Sequence, residues 1–243
     1  MNSAIAALRS TFYTLLQIII TPFYTLIILA SFPLTPLNRS RITSGWAHMM
    51  LYLIRVICGV RYRVLGIENI PKIPSIVLSK HQSAWETLAF QQIFPPQVWV
   101  LKKELLRIPF FGWGLAMTSP IAINRGSVRA ALKQIVQQGK DRLNQGFWIV
   151  IFPEGTRIVP GKKGKYAIGG AWLATHTGVP VVPVAHNAGE FWGKNSFIKR
   201  PGTITVSIGT SIDPAGMKAS ELNARVESWI ELEVARIGEK NTI

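Results

Sequence analysis

The chain has 243 residues, with 27 Lys and Arg against 12 Asp and Glu, a formal charge of +15, and a hydrophobic content of 48%. That length suits one sizeable domain with an appended segment. The charge calls for an anionic partner, and the apolar content argues against nucleic acid and toward a phospholipid surface; no recognised nucleic-acid motif is present. A single cysteine, Cys58, excludes an intramolecular disulfide framework and reads as a small buried hydrophobe.

The amino-terminal part is the most apolar. No Asp or Glu precedes Glu68, whereas Arg9, Arg39, Arg41, Arg55, Arg61 and Arg63 all fall before it. Between Arg9 and Arg39 the chain carries no charge, and Phe12 to Phe32 is long enough to cross a hydrocarbon layer of roughly 30 Å as a helix. Pro22 near its middle admits a kinked span or a re-entrant helix pair equally. A cleaved signal peptide fits less well, because the run exceeds the roughly 7–15 apolar residues of such signals and no small-x-small site follows. Residues 33–45 have the Pro, Ser and Thr content of a linker. Trp46 to Val60 reads as an amphipathic helix against the membrane interface, with Arg55 reaching toward headgroups, although a core helix shares the pattern. The excess of arginine places the basic side in the cytoplasm, hence at the cytoplasmic (inner) membrane. Residues 1–60 are thus expected to form a membrane-associated helical segment and residues 61–243 an α/β domain.

From residue 61 apolar strands alternate with helices. Tyr62 to Leu65, Ser75 to Ser79, Gln97 to Leu101, Phe147 to Phe152, Val179 to Val184 and Gly202 to Gly209 read as strands, the second almost wholly apolar and therefore central. Residues 83–92, 127–145, Gly169 to Thr177 and 218–237 read as helices. This alternation predicts an α/β fold with a largely parallel central sheet covered by helices.

Two of the few carboxylates lie just after strands. His81 and Glu86 stand five positions apart after Ser79, and Glu154 lies in Phe152-Pro153-Glu154-Gly155-Thr156-Arg157. A neutral imidazole can take a proton from a hydroxyl when a second group fixes its tautomer. Positions i and i+5 diverge on a continuous helix, so the pair works only if a tight turn separates the residues. By spacing alone, a loop histidine beside a helix-capping glutamate explains the pattern better. A guanidinium can grip a phosphate monoester through two parallel hydrogen bonds, but taken alone Arg125 and Arg157 read as solvated or ion-paired arginines.

Taken together, His81 to Glu86, Ile121 to Arg125, Phe152 to Arg157 and Val179 to Val184 resemble the four blocks of the glycerolipid acyltransferase family, across roughly residues 60–210. The likeness is greatest to bacterial members that acylate 1-acylglycerol 3-phosphate. The resemblance implies that His81 is the general base and Glu86 its partner, with Arg125, Glu154, Gly155, Thr156 and Arg157 binding the acceptor. It implies acyl-CoA or acyl-carrier protein as donor, lysophosphatidic acid as acceptor, and neither a metal nor a bound cofactor. Glu86, Lys80, Ser119 and Asn124 depart from the family's commoner Asp, Asn, Gly and Asp. These departures bear on the acceptor, since related enzymes use glycerol 3-phosphate, lysophospholipids or lipid A precursors. A non-catalytic basic protein binding membrane or nucleic acid is the alternative from another class; it gives no reason for the His81/Glu86 pair.

Overall fold

The computed structural model describes residues 3–124 and 126–239. Two long helices come first, α1 (Ser3–Ala30) and α2 (Pro36–Cys58), packed antiparallel: Tyr24 bonds the Ile42 carbonyl, Trp46 bonds Thr21, and Cys58 reaches the Arg9 carbonyl. α1 runs through Pro22 as one helix. The expected linker at 33–45 shrinks to a short turn before Pro36. Proline fits the first turn of a helix, the Thr35 side chain caps it by accepting from Asn38, and Thr43 and Ser44 bond back to the Arg39 and Ser40 carbonyls. Residues that elsewhere mark loops are thus satisfied inside a helix. Gly59, at φ 71°, ends it.

The remainder alternates β1 (Val60–Leu65), β2 (Ile76–Ser79), α3 (Trp85–Ile93), β3 (Gln97–Lys102), α4 (Phe111–Ala116), β4 (Ile121–Ile123), α5 (Val128–Asn144), β5 (Trp148–Ile151), α6 (Gly169–Thr177), β6 (Val181–His186), α7 (Ala188–Phe191), β7 (Gly202–Ile208) and α8 (Ala219–Glu239). The seven strands form one sheet in the order β1-β7-β6-β2-β5-β3-β4, parallel at every pairing except β6 with β7. β2 lies at its centre, as its unbroken apolar run implies. Val77 faces a core shared with α2 and α3, while Ile76 and Leu78 face one shared with α6 and α8. A strand covered on both faces needs apolar residues at every position.

α2 gives one face to the first core through Met50, Ile54 and Cys58, all fully buried, and leaves Tyr52, Arg55 and Val56 exposed. Trp46 to Val60 therefore packs as a core helix along one side and is exposed along the other. α1 has the opposite polarity to a core helix. Its inward face carries Ser10, Tyr13, Gln17, Thr21 and Thr25, and its outward face Leu8, Phe12, Leu15, Ile19, Phe23 and Leu26, each more than half exposed. Its mean hydropathy reaches 1.9, and by length and composition it could cross a membrane.

Lys199 fastens α1 to the domain. Its backbone N–H donates to Ser10 Oγ (2.9 Å), and its ammonium donates to Thr14 Oγ1 (3.0 Å) while lying 4.9–5.2 Å from the ring centroids of Trp192, Phe197 and Tyr13. Aromatic faces stabilise a desolvated cation by up to about 2 kcal/mol. Lys199→Met should therefore cost about 1–3 kcal/mol in denaturant unfolding of detergent-solubilised protein. A loss below about 0.5 kcal/mol, the range of a neutral surface change, would refute this anchoring.

Candidate active site

β6, β2 and β5 are parallel neighbours, so their carboxyl ends lie side by side. From those ends come His186, the turn Lys80 to Ser83, and the turn Phe152 to Arg157. Polar groups of α/β sheets collect at this edge because the connecting loops open there.

The turn after β2 brings the His81/Glu86 pair together. α3 begins at Trp85, so Glu86 sits in its first turn and its carboxylate folds back over the loop. Glu86 Oε1 accepts from His81 Nδ1 (2.8 Å), Gln82 N (2.9 Å) and Ser83 N (2.8 Å). A carboxylate only accepts, so the proton of the neutral ring lies on Nδ1 and Nε2 keeps its lone pair. The glutamate is fully buried, whereas the histidine side chain is 15% exposed. The His81 ring stacks on Phe152 at 3.9 Å between centroids and 9° between planes, which holds it flat against the cleft wall. Ser83 is buried and its Oγ accepts from Trp85 N, so it serves the helix start and does not line the cleft.

His186 lies behind the pair, its Nε2 4.0 Å from Glu86 Oε1. Its Nε2–H donates to the Lys80 carbonyl (2.9 Å) and its Nδ1 accepts from Ala188 N (3.3 Å), a bonding pattern of the neutral ring. Burial holds the His186 imidazole below its ordinary value, outweighing the pull of Glu86. For Glu86, burial pushes the carboxyl upward, but His186, the hydrogen bond from His81 and the Ser83 N–H act the other way and leave it below the usual range.

The second turn contributes both behind the cleft and at its wall. Glu154 points inward: Oε2 accepts from His81 N (2.9 Å) and Oε1 lies 2.8 Å from Lys80 Nζ. Gly155, at φ 65°, makes the turn possible and lines the cleft together with Arg157, while Thr156 is exposed beside them. Arg157 has no carboxylate partner among the described residues. Arg125 falls outside the described residues; β4 ends just before it at Ile123.

These groups open onto a cleft of about 460 Å³ between the α1/α2 hairpin and the sheet. Its walls are largely apolar, including Ile28, Leu88, Trp99, Leu101 and Leu115, with His81 and Arg157 among them. Of the aromatic segment before β4, Phe111 lines the cleft, whereas Phe110 and Trp113 stand outside it, 43% and 47% exposed. Sequence reasoning missed His186 and Lys80 as parts of this site. The available signal was their place at the ends of apolar strands, like His81 itself.

Both perturbed groups give the same sign of pH dependence. His186 and Glu86 are depressed in the folded state, so their stabilising effect is present above their unfolded values and is lost as pH falls through the folded ones. The thermal midpoint in detergent should therefore fall as pH is lowered below about 6.5, where an unfolded histidine takes up its proton. His186→Gln should lower the midpoint at neutral pH and weaken that slope. An unchanged slope in the variant would exclude His186 as its source.

Comparison with known proteins agrees with this architecture. A family model described as Acyltransferase matches residues 61–187. The chain is 45% identical to a 1-acyl-sn-glycerol-3-phosphate acyltransferase of Pseudomonas aeruginosa, over 97% of this chain and 93% of that one. A protein of the same name from Borreliella burgdorferi is 34% identical over 65% of this chain and 64% of its own. The crystal structure of the 1-acyl-sn-glycerophosphate acyltransferase of Thermotoga maritima has the same fold, with a TM-score of 0.81 over 98% of both chains at 23% identity. The matched segment contains both polar turns and all three strand ends described above, and the chain belongs to the acyltransferase family.

Proposed function

We propose that this protein transfers a fatty acyl group from an acyl thioester to the 2-hydroxyl of 1-acylglycerol 3-phosphate, forming phosphatidic acid for phospholipid biosynthesis at a membrane surface. The observation that carries the reading is the His81 ring, hydrogen-bonded through Nδ1 to buried Glu86 and set in an apolar cleft that it shares with Arg157.

In this reading His81 Nε2 removes the proton of the acceptor hydroxyl as its oxygen attacks the thioester carbonyl. The imidazolium that forms is stabilised by the Glu86 carboxylate. Collapse of the tetrahedral intermediate breaks the C–S bond, and the proton on Nε2 passes to the departing thiolate, restoring the neutral ring. The thioester is already activated, so the transfer runs without an acyl-enzyme. Arg157, with Arg125, grips the phosphate of the acceptor. Gly155 lets the backbone come close, and Thr156 is placed to donate to the same group. Glu154 acts from behind by holding the turn. The donor is acyl-CoA or acyl-carrier protein.

Residues 1–60 form the membrane-associated part in this proposal and residues 61–243 the α/β catalytic part. The outward apolar face of α1 supports that division, as do exposed Leu105, Ile108, Phe110 and Trp113 beside the cations Lys102, Lys103 and Arg107. The contacts of α1 with the domain, Ser10 to Lys199 and Thr25 to Phe110, support its lying along the domain at the membrane surface. The surplus of positive charge suits the anionic cytoplasmic face of the inner membrane.

The test is transfer from labelled acyl thioesters, offered as CoA or carrier-protein forms, to 1-acylglycerol 3-phosphate, glycerol 3-phosphate and lysophosphatidylcholine. Phosphatidic acid from the first acceptor, reduced about 10²–10⁴-fold in His81→Ala, is the expected result. Full activity in that variant would refute the base. Arg157→Ala should raise the KM for the acceptor about 10–100-fold, the worth of a charged hydrogen bond. An unchanged KM would remove Arg157 from the phosphate site.

A further inference from the structure

Lys80 is a buried cation beneath the base, and the mechanism above gives it no task. Its side chain is 1% exposed. Its ammonium lies 2.8 Å from Glu154 Oε1, 2.8 Å from Glu231 Oε1 on α8, and 3.3 Å from the Lys162 carbonyl. Tyr166 donates to the same oxygen of Glu231 at 2.8 Å. A buried ammonium is tolerable only when its partners are close and well placed, and these partners come from the Phe152 to Arg157 turn and from the last helix of the fold. The other oxygen of Glu154 accepts the His81 backbone N–H at 2.9 Å, and the His81 carbonyl accepts from Ile158 N at 2.7 Å.

We propose that Lys80 is a positioning residue, whose ammonium ties Glu231 of α8 to Glu154 and, through Glu154, fixes the backbone of His81 relative to the turn that carries Arg157. The inference rests on His81 being the base. Two turns from different strand ends must keep the base and the phosphate-binding arginine at a set separation. Lys80 joins them from beneath, out of reach of substrate and solvent. Glu231 brings α8 into the same network by charge. Without the ammonium, the Glu154 carboxylate is left buried and uncompensated. It must then take up a proton or turn toward water, and either change loosens its hold on the His81 N–H.

Lys80→Met should lower kcat about 10–100-fold, the cost of misplacing a reacting group by about 1 Å. The fraction of folded protein, followed by gel filtration and circular dichroism, should stay at its wild-type level. Adding Glu154→Gln to Lys80→Met should recover part of kcat, because the amide oxygen still accepts from His81 N and no bare charge remains. Glu231→Gln should lower kcat in the otherwise native protein and have no further effect alongside Lys80→Met, since both changes break the same chain of contacts. Folded Lys80→Met with kcat within about twofold of the native value would overturn the proposal, as would equal factors for Glu231→Gln with and without Lys80. Should Lys80→Met fail to fold, Glu231→Gln decides alone, its side chain being 21% exposed; an unchanged kcat there overturns the proposal. His81→Ala is measured in parallel. An active His81→Ala marks the failure of the base, whereas an inactive one beside a native-like Lys80→Met marks the failure of the positioning role alone.

Discussion

Parallel pairing of β6, β2 and β5 brings the ends of three segments, far apart in the chain, to one short stretch of sheet edge. Each end carries polar groups that have lost water, and each of those groups has to be bonded by a neighbour. The turn after β2 is consequently held from several sides. The Lys80 carbonyl is held by His186, the His81 N–H by Glu154, the His81 carbonyl by Ile158, and the Gln82 side chain by Gly189 N. The orientation of one imidazole follows from these bonds. A base presented on a free loop would lose the geometry that makes it useful.

The two buried glutamates of the site divide the work. Glu86 faces the ring and gives His81 its tautomer, and His186 together with the bonds from His81 and Ser83 N holds its carboxyl below the usual range despite burial. Glu154 faces the backbone of the same residue and is balanced by a lysine. Both carboxylates point inward, and the charged side chains left at the cleft wall include Arg157 and Lys102. In the proposed reaction a phosphate-bearing acceptor would meet cations there, with the carboxylates screened from it.

The amino-terminal hairpin gives the cleft one of its walls, through Thr21, Tyr24 and Ile28 of α1 and Trp46 of α2. α1 turns its hydroxyl-bearing side toward the protein and its apolar side outward, the reverse of a helix docked onto a soluble domain. Lys199 and its aromatic neighbours keep this unusual helix in register with the sheet. In the proposed reaction a lipid acceptor and product would thus reach His81 beside a surface that is itself apolar, without a long passage through water.

Much of the fold was legible because periodicity is a local property of the chain. The apolar runs at Ile76 to Ser79 and Trp148 to Ile151 have the composition of strands covered on both faces, and Gly169 to Thr177 is helical at the positions read from sequence. The segment 33–45 misled because Pro and Thr favour helix starts as well as loops, and only the bond from Asn38 to Thr35 distinguishes the two. His81 and Glu86 were visible as a pair, but a spacing of five becomes a hydrogen bond only through the particular turn that starts α3 at Trp85. Glu154, in the turn matched to the acceptor blocks, faces the interior and holds the His81 N–H. Lys80 looked like a mere departure from a family pattern, and His186 carried no signal beyond its place at a strand end. The sequence by itself determined the order and type of the elements and placed a histidine, a glutamate and an arginine at strand ends. Which of those groups turn inward to one another, and which face the cleft, was decided by strand order, because a side chain's partners are set by what pairs beside its strand rather than by its neighbours along the chain.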